Sequence, residues 1–275
     1  MKNKNIKTVL FYVFMILLVA VWLFPLLFIV LTSLRNPADF FVAPMLSIPN
    51  PLHFDNFAQA WQRGRLDQYM LNGAIISVFK VPLGVFIASL AAFSMTRLGF
   101  KRPTAIFLCF LVGMMIPFQA TLVGLSVAFN RLGLINTYFG LFYVYVGFGL
   151  PFGILVMRGF IRNIPIEMDE AAKLDGCGNF RLYASIIMPI AKPAVATLFI
   201  LDFLATWNEF LLASVLITDD AMRTVPAGLL NFFGEFATDY SLLSAGVLIT
   251  IIPVLTVFLV FQRYFVEGIA GAVKG

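Results

Sequence analysis

The chain has 275 residues, of which 61% are hydrophobic and only 12% carry a charge, and its mean hydropathy is +0.94. A soluble domain of this length cannot bury so much apolar surface, because its exterior must stay mostly polar. The composition excludes an ordinary cytosolic enzyme, a disordered chain and a secreted disulfide scaffold, and it favours an all-α integral membrane protein. The net charge of +5 comes from basic residues in short loops, which indicates membrane orientation rather than binding to nucleic acid.

Six apolar runs are long enough to cross the hydrocarbon core, which needs about 20 residues. The first run is too long for the apolar region of a signal peptide, so we expect it to be a retained span. The predicted spans are residues 8–34, 70–96, 104–130, 132–157, 194–218 and 241–262. Six buried helices in a non-membrane protein are the alternative, which is disfavoured because four of the runs contain no charge.

The connecting segments differ in length and polarity. Residues 35–69 contain four prolines and are expected to be irregular, with a short helix near residues 54–61. Residues 219–240 form a second loop on the same side. Residues 158–193 form the longest loop on the opposite side and the most polar part of the chain, and the whole of residues 1–275 is expected to form a single domain.

Basic residues are distributed unequally between the two sides of the predicted spans. One side holds both termini and 13 basic residues, whereas the other holds 5. The positive-inside rule therefore predicts that both termini lie in the cytoplasm. The 13 residues are Lys2, Lys4, Lys7, Arg97, Lys101, Arg102, Arg158, Arg162, Lys173, Arg181, Lys192, Arg263 and Lys274.

Patterns typical of enzymes are missing from the sequence. It has no GxxxxGK[ST] phosphate loop, and Ser126 lacks the second glycine of a nucleophile elbow. The single histidine, His53, lies in a loop that is expected to be solvated. Cys109 and Cys177 lie in different contexts and indicate neither a disulfide framework nor a metal site. We therefore expect no catalytic residue, no cofactor and no metal on this chain.

The polar loop of residues 158–193 is predicted to contain two short helices joined by glycine. Pro165 suits the first position of a helix, and the acidic residues that follow it complement the helix dipole. Gly176 and Gly178 are expected to end this helix, because glycine tolerates left-handed backbone angles. A second helix is predicted at residues 180–188. The expected product is a helix–Gly–helix elbow at the cytoplasmic membrane surface, between the fourth and fifth spans.

This loop resembles the EAA loop of permease subunits in binding-protein-dependent ABC importers. The matching residues are Glu170, Ala171, Ala172, Asp175, Gly176, Ile186 and Pro189. Cys177 and Met188 stand where the family usually has Ala and Leu. Three further segments resemble the carbohydrate branch of the family, in its maltose-transporter type: residues 136–138, 207–210 and 263–275. The resemblance covers nearly the whole chain from the first span.

The resemblance implies a mechanism that the chain cannot perform alone. The elbow would be a coupling helix that sits in a cleft of a separate ATPase subunit, with Glu170 as a polar contact, Ala171 and Ala172 allowing close approach, and Gly176 setting the bend beside Asp175. The implied partners are a second homologous permease, two ATPase subunits that bind ATP and Mg²⁺, and an extracytoplasmic sugar-binding protein. The implied location is a prokaryotic cell membrane.

Three charged residues lie inside predicted spans, where ionisable groups are usually paired or functional. Lys80 and Glu209 lie at similar depths, so they are candidates for a buried ion pair. Asp202 and Glu209 are seven residues apart and would share one helical face. A structural salt bridge and a role in the sugar pathway are both compatible with this pattern. The pathway candidates are Gln119, Asp202, Trp207, Asn208 and Glu209.

Two functions are compatible with these sequence features. The leading hypothesis is the permease subunit of an ATP-driven carbohydrate importer that forms half of the pathway. An oligosaccharide is the expected cargo, with monosaccharides, polyols and glycerol phosphate derivatives left open. The alternative is an ion-coupled secondary transporter that uses Asp202 and Glu209 as ion sites. The EAA loop favours the importer, because an ion-coupled carrier needs no elbow that docks on an ATPase.

Overall fold

The computed structural model describes residues 2–234 and 238–273, with the backbone alone described for residues 2–6 and 265–273. Lys274 and Gly275, which end the tail used in the resemblance, lie outside the described residues. Within the described ranges the regular elements are helical, apart from one isolated bridge between Phe233 and Thr238. The α-helices are α1 (Lys2–Ser33), α2 (Asp55–Arg63), α3 (Leu66–Arg97), α4 (Pro103–Met115), α5 (Phe118–Arg131), α6 (Tyr138–Arg162), α7 (Glu167–Leu174), α8 (Asn179–Arg181), α9 (Met188–Ile190), α10 (Lys192–Trp207), α11 (Leu211–Leu216), α12 (Val225–Gly228) and α13 (Tyr240–Val273).

Four unbroken helices are long and apolar enough to cross a membrane. Two further pairs of helices pass the same test only if each bent pair is counted as one crossing, so the described residues offer between four and six spans. The all-helical membrane class predicted from the composition is therefore confirmed. The four unbroken segments are Lys7–Ser33, Leu66–Arg97, Tyr138–Arg162 and Tyr240–Tyr264.

The predicted span at residues 104–130 is not one helix. It consists of α4 and α5, which meet at an angle of 91°. Ile116 ends α4 with an extended backbone, at φ −77° and ψ 116°. A proline disfavours the α conformation in the residue before it, so Pro117 breaks the helix at this point. Hydropathy does not detect the break, because both halves are apolar.

The predicted fifth span is also interrupted. Helix α10 ends at Trp207, and a separate short helix, α11, begins at Leu211. The chain before α10 bends as well, because Asn179–Ile190 meets α10 at 79°. The predicted span at residues 194–218 is therefore wrong as a single helix, and Glu209 lies in the break rather than on the face of α10.

Helix α6 starts later in the chain than predicted and ends later too. The prediction placed it at residues 132–157, whereas it covers Tyr138–Arg162. Gly133 and Asn136 have positive φ angles, which a continuous helix does not contain. The side chain of Thr137 then caps the helix by accepting a hydrogen bond of 3.0 Å from the backbone N–H of Gly140.

The chain forms two compact units, and the smaller one contains the residues up to Asp67 together with Gly228–Ile252. Its short helix α2 confirms the helix expected near residues 54–61. The buried amide of Asn56 donates to the carbonyls of Ser33 and Arg35, at 2.9 Å each, and so ties α2 to the end of α1. The rings of Phe40 and Tyr240 stack, with centroids 4.4 Å apart.

The larger unit contains Gln68–Ala227 and the described residues from Pro253 onward. Helices α3, α6 and α10 pack around a core that includes Val81, Ile154 and Leu198. Gly153 allows α6 to approach α3 closely, because a Cβ atom there would lie 2.8 Å from the Cβ of Ala88. Such small residues let helices pack closely inside a membrane.

Candidate functional site

The charged residues inside the predicted spans form a different ion pair from the predicted one. The ammonium group of Lys80, on α3, donates to Oδ1 of Asp202, on α10, and the side chains are 4% and 12% exposed. The predicted pair of Lys80 and Glu209 is therefore wrong. Depth in the membrane indicated Glu209, on the assumption that residues 194–218 form one helix, whereas α10 ends at Trp207 and carries Asp202 toward Lys80.

Glycines on two helices make room for this ion pair. A Cβ atom at Gly149 would lie 3.0 Å from Nζ of Lys80 and 3.3 Å from Oδ1 of Asp202. A Cβ atom at Gly84 would lie 3.3 Å from Oδ2 of Asp202. Gly149 in α6 therefore has a specific role beside the charges.

Among the residues whose side chains are described, those that hold Glu209 do so by hydrogen bonds, and none of them is a cation. Its Oε2 accepts from the hydroxyl of Tyr145 at 2.7 Å and from the backbone N–H of Ala213 at 2.9 Å. Its Oε1 accepts from the backbone N–H of Leu212 at 2.8 Å. The carboxylate thus satisfies two free N–H groups at the start of α11, where a negative charge is also favoured by the helix dipole.

The two acidic residues share an open cleft of about 250 Å³. The aromatic rings of Phe118 and Phe148 line one part of it and contact each other edge to face, with centroids 5.9 Å apart. The cleft thus combines two carboxylates, one ammonium group, one phenol and an aromatic surface. Its lining residues are Lys80, Phe118, Tyr145, Phe148, Gly149, Asp202, Ala205, Thr206, Glu209 and Leu212.

Three other pathway candidates lie elsewhere. Trp207 is buried, where its ring stacks with that of Phe203 and packs against Gly73. Asn208 is exposed and donates to the carbonyl of Leu204 at 2.9 Å. Gln119 is exposed next to Phe118, but it does not line the cleft. Sequence reasoning missed Tyr145, because nothing in the sequence distinguishes it from Tyr138 and Tyr143 in the same predicted span.

The residues of the EAA loop lie on and after helix α7. Glu170, Ala171, Asp175 and Gly176 are exposed, whereas Ala172 is buried and packs into the core of the larger unit. A left-handed backbone is found at Gly176, with φ +76°. The expectation for Gly178 is wrong, because it has an extended backbone and precedes α8.

The start of α7 also differs from the prediction. Ile166 is the N-cap residue, so Pro165 lies one position before the cap rather than at the first helical position. Large apolar side chains remain exposed around the bend, with Leu174 at 89%, Phe180 at 72% and Met168 at 40%. A short helix with acidic and apolar side chains turned outward is typical of a surface that another protein covers.

A second buried ion pair lies beneath this surface. Nε of Arg97 is 3.1 Å from Oδ2 of Asp169, and both side chains are almost fully buried. The sequence indicated only a helix-dipole role for Asp169 and membrane orientation for Arg97. No spacing rule connects the two residues, because they are distant in the chain.

The sequence of residues 80–271 matches a family described as the inner membrane component of binding-protein-dependent transport systems. The chain belongs to this family. It is 37% identical to the probable ABC transporter permease protein YurM of Bacillus subtilis, with 96% of this chain and 88% of that protein aligned. It is 34% identical to the probable starch degradation products transport system permease protein AmyC of Thermoanaerobacterium thermosulfurigenes, over the full length of both.

The fold is also found among solved structures. A bacterial ABC transporter involved in the import of the acidic polysaccharide alginate matches with a TM-score of 0.82 and 20% identity, over 96% of this chain and 98% of that one. This match concerns the fold alone. The resemblance inferred from the sequence is confirmed, and the chain is an integral membrane transport component of the ABC importer permease family.

Proposed function

We propose that this chain is the permease subunit of an ATP-driven importer of carbohydrates, with oligosaccharides as the cargo. The family description names dependence on a binding protein, and the relative AmyC is named for starch degradation products. The chain would form half of the translocation pathway beside a second, homologous permease. Two ATPase subunits would bind ATP and Mg²⁺, and an extracytoplasmic protein would deliver the sugar.

The proposed topology has six spans. Four are the unbroken helices, and the other two are the bent pair of α4 and α5 and the segment from α10 to α11. Both termini would lie in the cytoplasm, because 13 basic residues fall on their side of the spans and 5 on the other. The loop of residues 158–193 then faces the cytoplasm, where an ATPase subunit can reach it in a prokaryotic cell membrane.

The observation that carries the proposal is the outward surface of α7 and the bend after it. Glu170 and Asp175 supply charge, whereas Leu174 and Phe180 supply exposed apolar area. Glu170 would contact the ATPase, and Ala171 would allow close approach. Ala172 is buried, so its contribution is to fix α7 on the permease rather than to touch the partner.

The open cleft is the proposed part of the sugar pathway in this chain. Sugars are held by hydrogen bonds to polar groups and by contacts with aromatic faces, and the cleft offers both kinds of group. Asp202 and Glu209 would accept hydrogen bonds from sugar hydroxyls, and Phe118 would provide an apolar surface. The exposed residues Gln119 and Asn208 would act only outside the cleft.

The geometry disfavours the ion-coupled alternative. Lys80 already neutralises Asp202, and Glu209 already accepts three hydrogen bonds. A transported cation would have to displace an ammonium group or uncap α11. Neither carboxylate is arranged as an open ion site.

The test uses the whole complex, purified through a tag on this chain. Gly176→Val places a β-branched residue at a positive φ angle, which is strained. Gly178→Val is the matched control, because both glycines border open space and only Gly176 has a positive φ angle. We expect Gly176→Val and Glu170→Lys to lower both the recovery of ATPase and the sugar-stimulated hydrolysis of ATP, while Gly178→Val retains them. Normal recovery and normal stimulation in all three variants would refute the docking role.

A further inference from the structure

The buried pair of Arg97 and Asp169 lies where three helix ends meet. Arg97 is the last residue of α3, and Asp169 belongs to the first turn of α7. Their side chains are 6% and 1% exposed. Among the side chains that the structure describes, in residues 7–234 and 238–264, Arg97 is the only cation within ion-pairing distance of Asp169. Removing either charge would leave the other buried without its counter-ion, which is strongly unfavourable.

The same guanidinium group also holds the end of α6. Its Nη2 donates to the carbonyl of Ile161 at 3.1 Å and to the carbonyl of Ile164 at 2.6 Å. These carbonyls lie at and just beyond the C-terminal turn of α6, where a positive charge complements the helix dipole. A planar guanidinium can serve several acceptors in fixed directions, which the single ammonium of lysine cannot do equally well. Arg97 therefore joins α3, α6 and α7.

Helix α7 depends on such anchors. With eight residues it is too short to be stable by itself, so its position is set by tertiary contacts. Its buried residues are Asp169 and Ala172, whereas Glu170 points outward. A displacement of α7 alone would separate two buried charges, so the low-energy motion is one in which the ends of α3 and α6 move with it.

We propose that Arg97 and Asp169 are positioning residues that transmit displacements of α7 to α3 and α6. This inference rests on the proposed function, in which α7 docks on the ATPase. Helix α3 carries Lys80, and α6 carries Tyr145 and Gly149. Both helices therefore lead from the clamp, which is the contact of Arg97 with Asp169 and with the end of α6, to the open cleft. The clamp thus connects the proposed ATPase contact with the proposed sugar pathway through two unbroken helices.

The test compares a neutral double variant with a control on the other side of α7. Arg97→Gln combined with Asp169→Asn removes both charges, so no unpaired charge is buried, but the three-helix clamp is lost. Glu167→Gln removes an exposed charge from the same first turn. Both are purified as complexes through a tag on this chain, and sugar-stimulated ATP hydrolysis is measured per bound ATPase.

We expect the double variant to recover as much ATPase as the wild type but to lose stimulation by about fivefold or more, in the range of typical coupling effects. Arg97→Lys keeps the positive charge but lacks the planar guanidinium group, so it should give an intermediate loss of stimulation. Full stimulation in the double variant would show that the pair is only structural and would refute the inference, as would failure of that variant to accumulate in the membrane. If the wild-type chain recovers no ATPase, the proposed function itself is refuted, which is a distinguishable result.

Discussion

Replacing Lys80 by methionine tests the ion pair of Lys80 and Asp202 most sharply. The change keeps much of the side-chain volume but removes the ammonium group that faces Asp202. Asp202 would then be a buried carboxylate without a cation, beside glycines that offer it no hydrogen-bonding side chain. Breaking a buried ion pair in this way costs about 3–5 kcal/mol. Since about 1.4 kcal/mol corresponds to a factor of ten, the unfolded fraction should rise by at least about a hundredfold.

Two double variants distinguish the observed partner from the predicted one. Lys80→Met with Asp202→Asn removes both charges of the observed pair and should recover most of the lost stability. Lys80→Met with Glu209→Gln should recover none, because Glu209 is satisfied by hydrogen bonds. The free energy of unfolding is measured by denaturant titration of the purified protein in detergent. Rescue by the Glu209 variant and not by the Asp202 variant would refute the pairing.

Three further predictions follow from the glycines, from the cap of α11 and from the topology. Gly153→Ala should destabilise the protein by about 1–3 kcal/mol through overpacking. Gly147→Ala, whose added Cβ meets nothing within 4 Å, should stabilise it by about 0.5–1 kcal/mol. Equal effects of the two variants in the same denaturant titration would contradict this expectation. Glu209→Ala should cost about 1–3 kcal/mol of unfolding free energy, because two N–H groups and a phenol lose their acceptor, and an unchanged stability would disprove the capping role. In intact cells, an impermeant maleimide should label Val42→Cys, where the native side chain is 85% exposed, but not Cys177, and labelling of Cys177 from outside would overturn the orientation.

The sequence predicted the apolar helices better than their continuity. Span lengths follow from hydropathy, so the predicted bounds lie within about four residues of the apolar segments Lys7–Ser33, Leu66–Arg97 and Tyr240–Tyr264. The break at Pro117 was missed because the residues around it are as apolar as the helices themselves. The break after Trp207 was missed although Asn208 and Glu209 interrupt the apolar run there, because the whole run is long enough to be counted as one span. At Pro117 a local signal existed, since proline restricts the preceding residue, but it was outweighed by the length of the apolar run.

The contacts between side chains in the site were also predicted only in part. The motif identified Glu170 and Gly176, and the structure places Glu170 on the exposed face of α7 and Gly176 at the bend that follows α7. Depth alone predicted the wrong partner for Lys80, Glu209 instead of Asp202, because the rotation of one helix against another is set by packing and not by depth. The pairing of Arg97 with Asp169 was missed for that reason too.

The central claim is that this chain takes part in ATP-driven import of a carbohydrate. The most direct measurement is uptake of labelled maltooligosaccharides into proteoliposomes that contain the complete complex, with its binding protein outside and ATP inside. We predict uptake that requires hydrolysable ATP and persists when ionophores collapse all ion gradients. Uptake that proceeds without ATP and stops when an ion gradient is collapsed would contradict the account and would favour an ion-coupled carrier.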